Sequence, residues 1–490
     1  MNTQSNKLKE QLLGRGGILF AVVLGLVLSF SMPAHAKKGD KHRSHDMKLV
    51  GTDDLQARSA YQPIVHEHPD GRFIAYIGHH NGSAPNPLND GAIETNGVSI
   101  IDVTKPKKPV YLHHLPGNRG AQMVRACNGR DLTGDENNDK VYLLRATREE
   151  HEVFDVTDPS APVLVSTPVS GAGNTHKNYW ECSTGIAYLV TDLRPDGWAV
   201  SRVGQIFDLS DPTNPVFIRN FGIPGQNPGT LLDPTAHPQG MHGCISVIDR
   251  NRVYCGHGTR SDGRLVIWNR DDLLNPAPAW LDPAIPTDAE LQAPLITVFN
   301  TPSYMGAHSA IPLLGYHLEE FANDPGGADG SYADRDFVAI VNEAIRNECG
   351  DDFRQLVYFA DITEEENPMP LSNFNVPEAE GDYCSKGGRF GAHAAHENPT
   401  GIFHRKLLFV SWFNAGVRAI DIRDPFNPKQ AAFFIPKITD NTDIRGDKFA
   451  IQTNNVEVDD RGFIYITDRA DTGLHILELK GKAKKIADLP

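Results

Sequence analysis

The sequence predicts an all-β protein, a single seven-bladed β-propeller with four-stranded blades. Three observations lead to this prediction. A short motif returns seven times, each copy follows short β-rich segments, and Gly and Pro are plentiful (44 and 34 of 490 residues) while long helical patterns are missing. Repeats of this length with about four strands each are typical of propellers. A solenoid, the alternative, would have shorter and more uniform repeats.

Each copy of the motif combines a strand with a rigid turn. A β-branched, apolar run such as VSIIDV predicts a buried strand. The Asp-Pro-x-x-Pro that follows predicts a turn, because Asp accepts backbone hydrogen bonds and Pro fixes φ. The anchor residues are 53, 53, 61, 92, 60 and 57 positions apart: Asp102, Asp155, Asp208, Asn269, Asp361, Asp421 and Glu478. The longest interval predicts an insertion in blade five, at about residues 313–336, which favours a long surface loop.

These copies resemble the LVIVD repeat, which is named for its third-strand motif. The residues that carry the resemblance are VSIIDVTKPKKPV, HEVFDVTDPSAPV, GQIFDLSDPTNPV and VRAIDIRDPFNP. The resemblance covers nearly all of the chain after the N-terminal segment. It implies an extracytoplasmic β-propeller, and it implies no single activity.

The first 36 residues have the pattern of a secretory signal peptide. A basic region (Lys7, Lys9, Arg15) precedes an apolar run at residues 16–30, and Ala34-His35-Ala36 is a small-x-small cleavage site. The alternative is a retained membrane anchor, but the run is short for a span and no second one follows. We therefore expect a periplasmic or secreted protein with no membrane span after cleavage. Residues 37–47 are expected to form a flexible basic arm, and residues 48–490 the propeller.

Charge and cysteine content indicate which classes of partner and which cellular compartment fit the sequence. Without residues 1–36, the 47 basic and 62 acidic residues become 44 and 61, a net charge of −17, which disfavours nucleic acid as a partner. An even number of cysteines in an exported chain predicts disulfides. The stretch CISVIDRNRVYC reads as a hairpin that sets Cys244 opposite Cys255. Cys127 with Cys182 would join blades two and three, and Cys349 with Cys384 would be the remaining pair.

A ring of polar residues is predicted at the propeller axis, where the innermost strand of each blade lines the channel. The distance from this ring position to the second strand is 11 residues in repeats one, four and seven, which supports the alignment. One residue per repeat occupies the position: Gln62, Gln122, His176, His242, His308, His393 and Gln452. Four successive blades should therefore bring four imidazoles together.

Converging imidazoles favour a divalent metal such as iron, copper or zinc, with His176, His242, His308 and His393 as ligands. The alternative is a metal-free polar plug in which histidine and glutamine bind buried water. Other polar residues are predicted on the same face, where they would bind substrate or support the ligands. They are the ring glutamines Gln62, Gln122 and Gln452 together with His79, His80, His257, Arg389 and Tyr304.

Two functions are consistent with this pattern. Four axial histidines on a propeller are similar in architecture to carotenoid-cleaving oxygenases and to selenium-binding proteins of the methanethiol-oxidase type. That similarity implies a metal-dependent oxidoreductase acting on a small molecule, with the metal activating oxygen or polarising a substrate. The alternative is a non-catalytic periplasmic or surface scaffold that binds a protein or polysaccharide. The chain contains no Gly-x-Ser-x-Gly motif, P-loop or dinucleotide fingerprint.

Overall fold

The computed structural model describes residues 41–230, 240–259, 262–321, 333–398 and 400–489. The protein is all-β, with 45% strand and 11% helix. The predicted signal peptide at residues 1–36 and the start of the predicted arm lie outside the described residues.

The strands form four-stranded antiparallel units, numbered here one to seven in chain order. Units one and two share one eight-stranded sheet through a single bridge between His79 and Ala121, and the other five are separate sheets. Their strands are Ala60–Glu67, Phe73–His79, Gly97–Asp102 and Val110–Pro116; Ala121–Asn128, Val141–Thr147, His151–Asp155 and Val163–Val169; Thr175–Trp180, Ile186–Thr191, Val203–Asp208 and Val216–Phe221; Met241–Val247, Arg252–His257, Arg264–Asn269 and Leu295–Asn300; Ser309–His317, Asp334–Val341, Val357–Asp361 and Met369–Phe374; Leu407–Ser411, Val417–Asp421, Lys429–Ile435 and Arg43–His45; Thr453–Val458, Ile464–Asp468, Leu474–Leu479 and Met47–Asp53.

Small elements decorate the connections between these strands. Two short hairpins pair Ser83–Asn86 with Ala92–Thr95 and Ile444–Arg445 with Lys448–Phe449. The α-helices are Gly129–Thr133, Arg270–Leu274, Asp288–Gln292 and Gly481–Ile486. Single 3-10 turns lie at Leu55–Ala57, Pro87–Asn89, Arg194–Asp196, Ile248–Arg250, Glu319–Phe321, Cys349–Asp351, Glu378–Glu380 and Cys384–Lys386.

The repeated motif forms the third strand and the turn that the sequence predicts. Six of the seven anchor residues end the third strand of their unit, from Asp102 in unit one to Asp421 in unit six. In the turns that follow, Asp158 and Asp211 each accept a backbone N–H two residues on, at 2.9 and 3.0 Å. The prediction of an aspartate-stabilised turn is confirmed at these positions.

Residues near the N-terminus complete the last two units. Met47–Asp53 pairs with Leu474–Leu479 and becomes the fourth strand of unit seven. Arg43–His45 pairs with Lys429–Ile435 in unit six. The prediction of a flexible arm was therefore wrong for residues 43–47. Backbone pairing at a sheet edge does not require an apolar pattern, so the basic, polar composition did not reveal this strand.

The extra length of the fifth repeat is divided between two connections. Both ends of the predicted insertion belong to strands, because the hairpin of unit five extends to the pair His317 and Asp334. Residues 322–332 lie outside the described part of the chain. The remaining length lies before the fourth strand of unit four and contains the helices Arg270–Leu274 and Asp288–Gln292.

The hydrophobic core is divided into clusters that lie between neighbouring units. Tyr76 of unit one packs in one cluster with Leu143 of unit two, and Phe221 of unit three packs in another with Trp268 of unit four. The cluster between units seven and one contains Tyr465 and Ile77. The first strands of units one and seven are also in contact. Each unit therefore buries its apolar faces against the units on either side.

The three predicted disulfides are confirmed. Cys127 bonds to Cys182, Cys244 to Cys255 and Cys349 to Cys384, with Cα–Cα distances of 5.3, 4.1 and 5.5 Å. Cys244 and Cys255 lie directly opposite each other in the hairpin register, as the sequence predicts. Three disulfides are typical of proteins that fold in an oxidising compartment. Among the residues that the structure describes, no helix is both long and apolar enough to cross a lipid bilayer.

Candidate metal centre

Four histidines from units three to six meet in one buried cluster. His176 and His242 lie on the first strands of their units, His308 immediately precedes the first strand of unit five, and His393 precedes unit six. Going along this series, successive ring centroids are 4.5, 3.8 and 4.4 Å apart. The Nε2 atoms of His176 and His242 are 2.9 Å apart. Each side chain occupies the same repeat position, so equivalent strands deliver equivalent residues to one place.

Hydrogen bonds outside the cluster set the orientation of two of these imidazoles. The Nδ1 atom of His176 lies 3.0 Å from the Oε1 atom of Gln122, which can only accept, so Nδ1 carries the proton. The amide nitrogen of Gln122 in turn donates to the Nδ1 atom of His80 at 2.7 Å. The Nδ1 atom of His393 donates to the Asn454 carbonyl at 2.5 Å. His176 and His393 therefore present Nε2 lone pairs to the cluster.

Glu343 completes the cluster, and the sequence reasoning missed it. The ligand atoms of His242, His308 and Glu343 all lie within 4.8 Å of one another. The Oε1 atom of Glu343 is 3.1 Å from the Nη1 atom of Arg389 and 3.6 Å from the Nε2 atom of His393. Glu343 follows the second strand of unit five. Its place just after that strand, where His80 also lies in unit one, was the available signal.

The cluster offers neutral imidazoles and one carboxyl group as ligands, in surroundings that Arg202, Lys177 and Arg469 make positive. Burial lowers the pKa of all four histidines well below the ordinary value, so the imidazoles are neutral at pH 7. Burial also raises the pKa of Glu343, and the Arg389 guanidinium opposes that shift. A neutral His393 with its proton on Nδ1 turns a lone pair toward a carboxylate oxygen. A proton or a metal ion between the Nε2 atom of His393 and the Oε1 atom of Glu343 would remove the repulsion between their lone pairs. A set of nitrogen and oxygen donors suits zinc, iron or copper.

Tyr61 covers the cluster from unit one. Its ring lies edge-on to His80, His176 and His393, with centroids 5.0, 5.9 and 5.8 Å away. Its hydroxyl is 3.4 Å from the Nε2 atom of His308. Burial raises the pKa of Tyr61 above its usual range, so the phenol keeps its proton. The sequence places Tyr61 next to the ring residue Gln62, and that adjacency was the available signal.

Several predicted supporting residues do reach the cluster. Arg389 pairs with Glu343, and Gln122 and His80 form the chain of hydrogen bonds to His176. Gln452 contacts Arg389 through its Oε1 atom, which accepts the Arg389 backbone N–H at 2.9 Å.

Other predicted residues point elsewhere. His79 bonds the Ser99 hydroxyl at 2.7 Å inside unit one, because successive side chains along a strand point to opposite faces and His80 takes the axial one. His257 packs against Trp268, with ring centroids 5.9 Å apart. Gln62 accepts from Asn455 and does not contact the histidines.

Tyr304 is also placed away from the cluster, on the surface. Tyr304 is 55% exposed, and its ring stacks on that of Phe353 with the centroids 4.3 Å apart. The chain before His308 turns through a left-handed residue at Tyr304, with φ of 66°, which directs the side chain outward. Position in the repeat alone did not indicate this turn.

A second buried group of charges comes from the first strands of units two, three and seven and from the segment before unit six. The Glu397 carboxylate pairs with the Lys177 ammonium and the Arg125 guanidinium, and these cations lower its pKa against the effect of burial. Burial raises the pKa of neighbouring Glu457 to about 7. Two cations and two carboxyl groups thus compensate one another without a ligand.

A cavity of about 630 Å³ adjoins the histidine cluster. His80 and Gln122, which connect to His176, line its inner end. A small molecule in this cavity would be separated from His176 by these two side chains. Comparison of the chain with protein-family models and with curated proteins finds no match.

Proposed function

We propose that this protein is an exported seven-bladed β-propeller of the LVIVD-repeat type that holds a divalent transition metal at its axis and acts as a metal-dependent oxidoreductase on a small molecule. The four-stranded units, with an apolar cluster between neighbours, support the propeller. Pairing of Met47–Asp53 with Leu474–Leu479 would join the two ends of the chain in one blade. The disulfides support export.

The observation that carries the proposal is the grouping of His242, His308 and Glu343, whose ligand atoms lie within 4.8 Å. His176 and His393 flank this group, and both present unprotonated Nε2 atoms to it. Fixed tautomers of this kind are what metal-binding histidines have in known sites. The ligands come from separate units that are already packed, so the fold would not depend on the metal.

The protein's own side chains would prepare the site for chemistry. Arg389 favours the charged form of Glu343, Gln122 orients His176, and Tyr61 excludes water from one side. A bound iron or copper ion would supply electron transfer, and zinc would supply Lewis acidity alone.

Metal content after reconstitution with iron, copper, zinc or manganese tests the proposal. We expect the wild-type protein to retain one of these metals through desalting, and His242→Ala and His308→Ala to lose it while keeping their circular dichroism spectra. His317→Ala is the matched control, because His317 is exposed and pairs with Asp334. Equal metal retention in all variants, or none in the wild type, would contradict the proposal.

Two contacts favour the second candidate, a non-catalytic scaffold. The contact between His176 and His242 at 2.9 Å and the ion pair between Arg389 and Glu343 can both form without metal. A polar plug held by such contacts would stabilise the axis of a propeller that binds a protein or polysaccharide elsewhere. A wild-type protein that stays metal-free after reconstitution would support this function.

A further inference from the structure

The cavity beside the histidine cluster is lined by positive charge. Five arginines contribute to its wall against two aspartates, Asp443 and Asp471. The arginines are Arg119, Arg148, Arg202, Arg445 and Arg469. The whole chain carries a net charge of −15. A basic wall on an acidic protein concentrates anions at this one place.

Most of these arginines have no acidic partner. Arg445 pairs with Asp443 at 3.3 Å. Within the described part of the chain, the other four form no ion pair. Arg469 donates to the Nδ1 atom of His80 at 3.4 Å, and its buried Nη1 atom has no hydrogen-bond partner among the described residues. A buried guanidinium donor without an acceptor is costly, and an anionic oxygen in the cavity would satisfy it.

The rest of the wall is polar and suits a hydroxylated ligand. Asn81 and Ser83 line the cavity with an amide and a hydroxyl group, whereas the side chains of Ser59, Asn96 and Thr175 line it while bonded to the protein. Its volume of about 630 Å³ exceeds what an inorganic anion needs and lies within the range of small-molecule sites. Apolar compounds would gain less here, because most of the lining is polar.

We propose that this cavity binds the substrate of the axial site as a hydroxylated organic anion, held by Arg202 and Arg469 at its inner end and by Arg119 and Arg148 at its mouth. The inference rests on the proposed function. Gln122 and His80 lie between the cavity and His176, so these two side chains would relay the bound anion's effect to the candidate ligands. Arginine recognises an oxyanion through paired N–H donors, which accounts for its use here in place of lysine.

Two probes, one anionic and one neutral, that differ at a single carbon atom test the inference. D-Gluconate and D-sorbitol share a hydroxylated chain, and gluconate has a carboxylate where sorbitol has a CH2OH group. In ligand-observed NMR titrations at low salt, gluconate should bind the wild-type protein saturably and sorbitol should not. Arg202→Gln and Arg148→Gln should each weaken gluconate binding by at least about tenfold, since each removes charge-assisted hydrogen bonds. Arg148 is exposed, so its replacement leaves the fold intact.

A matched arginine controls for general charge effects. Arg130 is outside the cavity and pairs with Asp139, so Arg130→Gln should leave gluconate binding unchanged. Equal binding of gluconate and sorbitol, no saturable gluconate binding, or an equal loss in Arg130→Gln would overturn the inference.

The same titration separates this inference from the proposed function. His242→Ala, which should lose the metal, should still bind gluconate, because the arginines are on other elements. A wild-type protein that binds gluconate but no metal would refute the proposed function and leave the anion site. A wild-type protein that binds metal but shows no preference for gluconate would refute the anion site and leave the proposed function.

Discussion

The side chain of Gln122 forms hydrogen bonds with two imidazoles, one of which donates and the other of which accepts. It accepts from the Nδ1 atom of His176 and donates to the Nδ1 atom of His80. Replacing it by alanine would let the His176 ring rotate and exchange tautomers. We expect Gln122→Ala to weaken metal binding about 10- to 100-fold, as loss of such orienting contacts does in known metal sites. Competition with a chelator of known affinity measures the effect.

Gln62 provides the matched control for this prediction. It occupies the same ring position in unit one, but its side chain bonds Asn455 and the Pro63 carbonyl and forms no hydrogen bond with a cluster histidine. Gln62→Ala should leave metal affinity unchanged. An equal loss in both variants would mean that the cluster responds to any change at the axis.

The repeat makes some site residues predictable and leaves others hidden. His176, His242, His308 and His393 share a repeat position, and equivalent strands carry such residues to equivalent places. Glu343 and Arg469 follow the second strands of their units, and the connections that they begin differ in length, so their spacing from the repeated motif does not identify them. Their relation to the cluster depends on how each loop turns, which is set by local φ values and packing.

At the level of single elements, the disulfides differ in what they constrain. Cys127 and Cys182 join neighbouring units and are separated by 55 residues, whereas Cys244 and Cys255 lie in one hairpin and are separated by 11. Chain entropy predicts a loss of about 4 kcal/mol when the first is removed and about 3 kcal/mol for the second. Urea denaturation of the two double-alanine variants measures the free energies of unfolding. A larger loss for the hairpin disulfide would contradict the chain-entropy argument.

Strands at the sheet edges set a limit on prediction from sequence. The inner strands have long apolar runs and the anchor residues recur, so their positions follow from the pattern. Arg43–His45 has neither feature, and its pairing with unit six is supported by a ring contact between His42 and Phe434 at 5.1 Å. Contacts with residues almost four hundred positions away cannot be read from a local pattern.

For the whole molecule, buried histidines predict acid sensitivity. Burial lowers the pKa of His68, His114, His151 and His396 to about 4 and that of His475 to about 3. The unfolded chain takes up these protons as pH falls below about 6.5, and the folded protein does so only near pH 4. Stability is therefore lost through that window.

Six carboxyl groups among the described residues have raised pKa values and act in the opposite direction: Asp53, Glu150, Glu343, Glu457, Asp468 and Asp471. Burial raises the pKa of Asp468 to about 6 and those of Glu457 and Asp471 to about 7, so folding gains stability from them as pH falls below 7. The histidines, with those of the cluster, outnumber them. We expect the thermal midpoint to fall from pH 7 to pH 5, measured by scanning calorimetry with a chelator present so that metal release does not contribute. A midpoint that rises over this range would show that the carboxyl groups dominate.

The pairing of Met47–Asp53 with Leu474–Leu479 also has a consequence for folding during synthesis. Lys48 and Glu478, which bond across this pair, are 430 positions apart. At roughly 5–20 residues per second, the partner strand is made roughly 20–90 s after the N-terminal one. Until then the third strand of unit seven does not exist, and Met47–Asp53 is an unpaired strand that can pair with another chain. This sheet thus contains one of the first strands made, and the edge of that strand stays open to another chain throughout the interval.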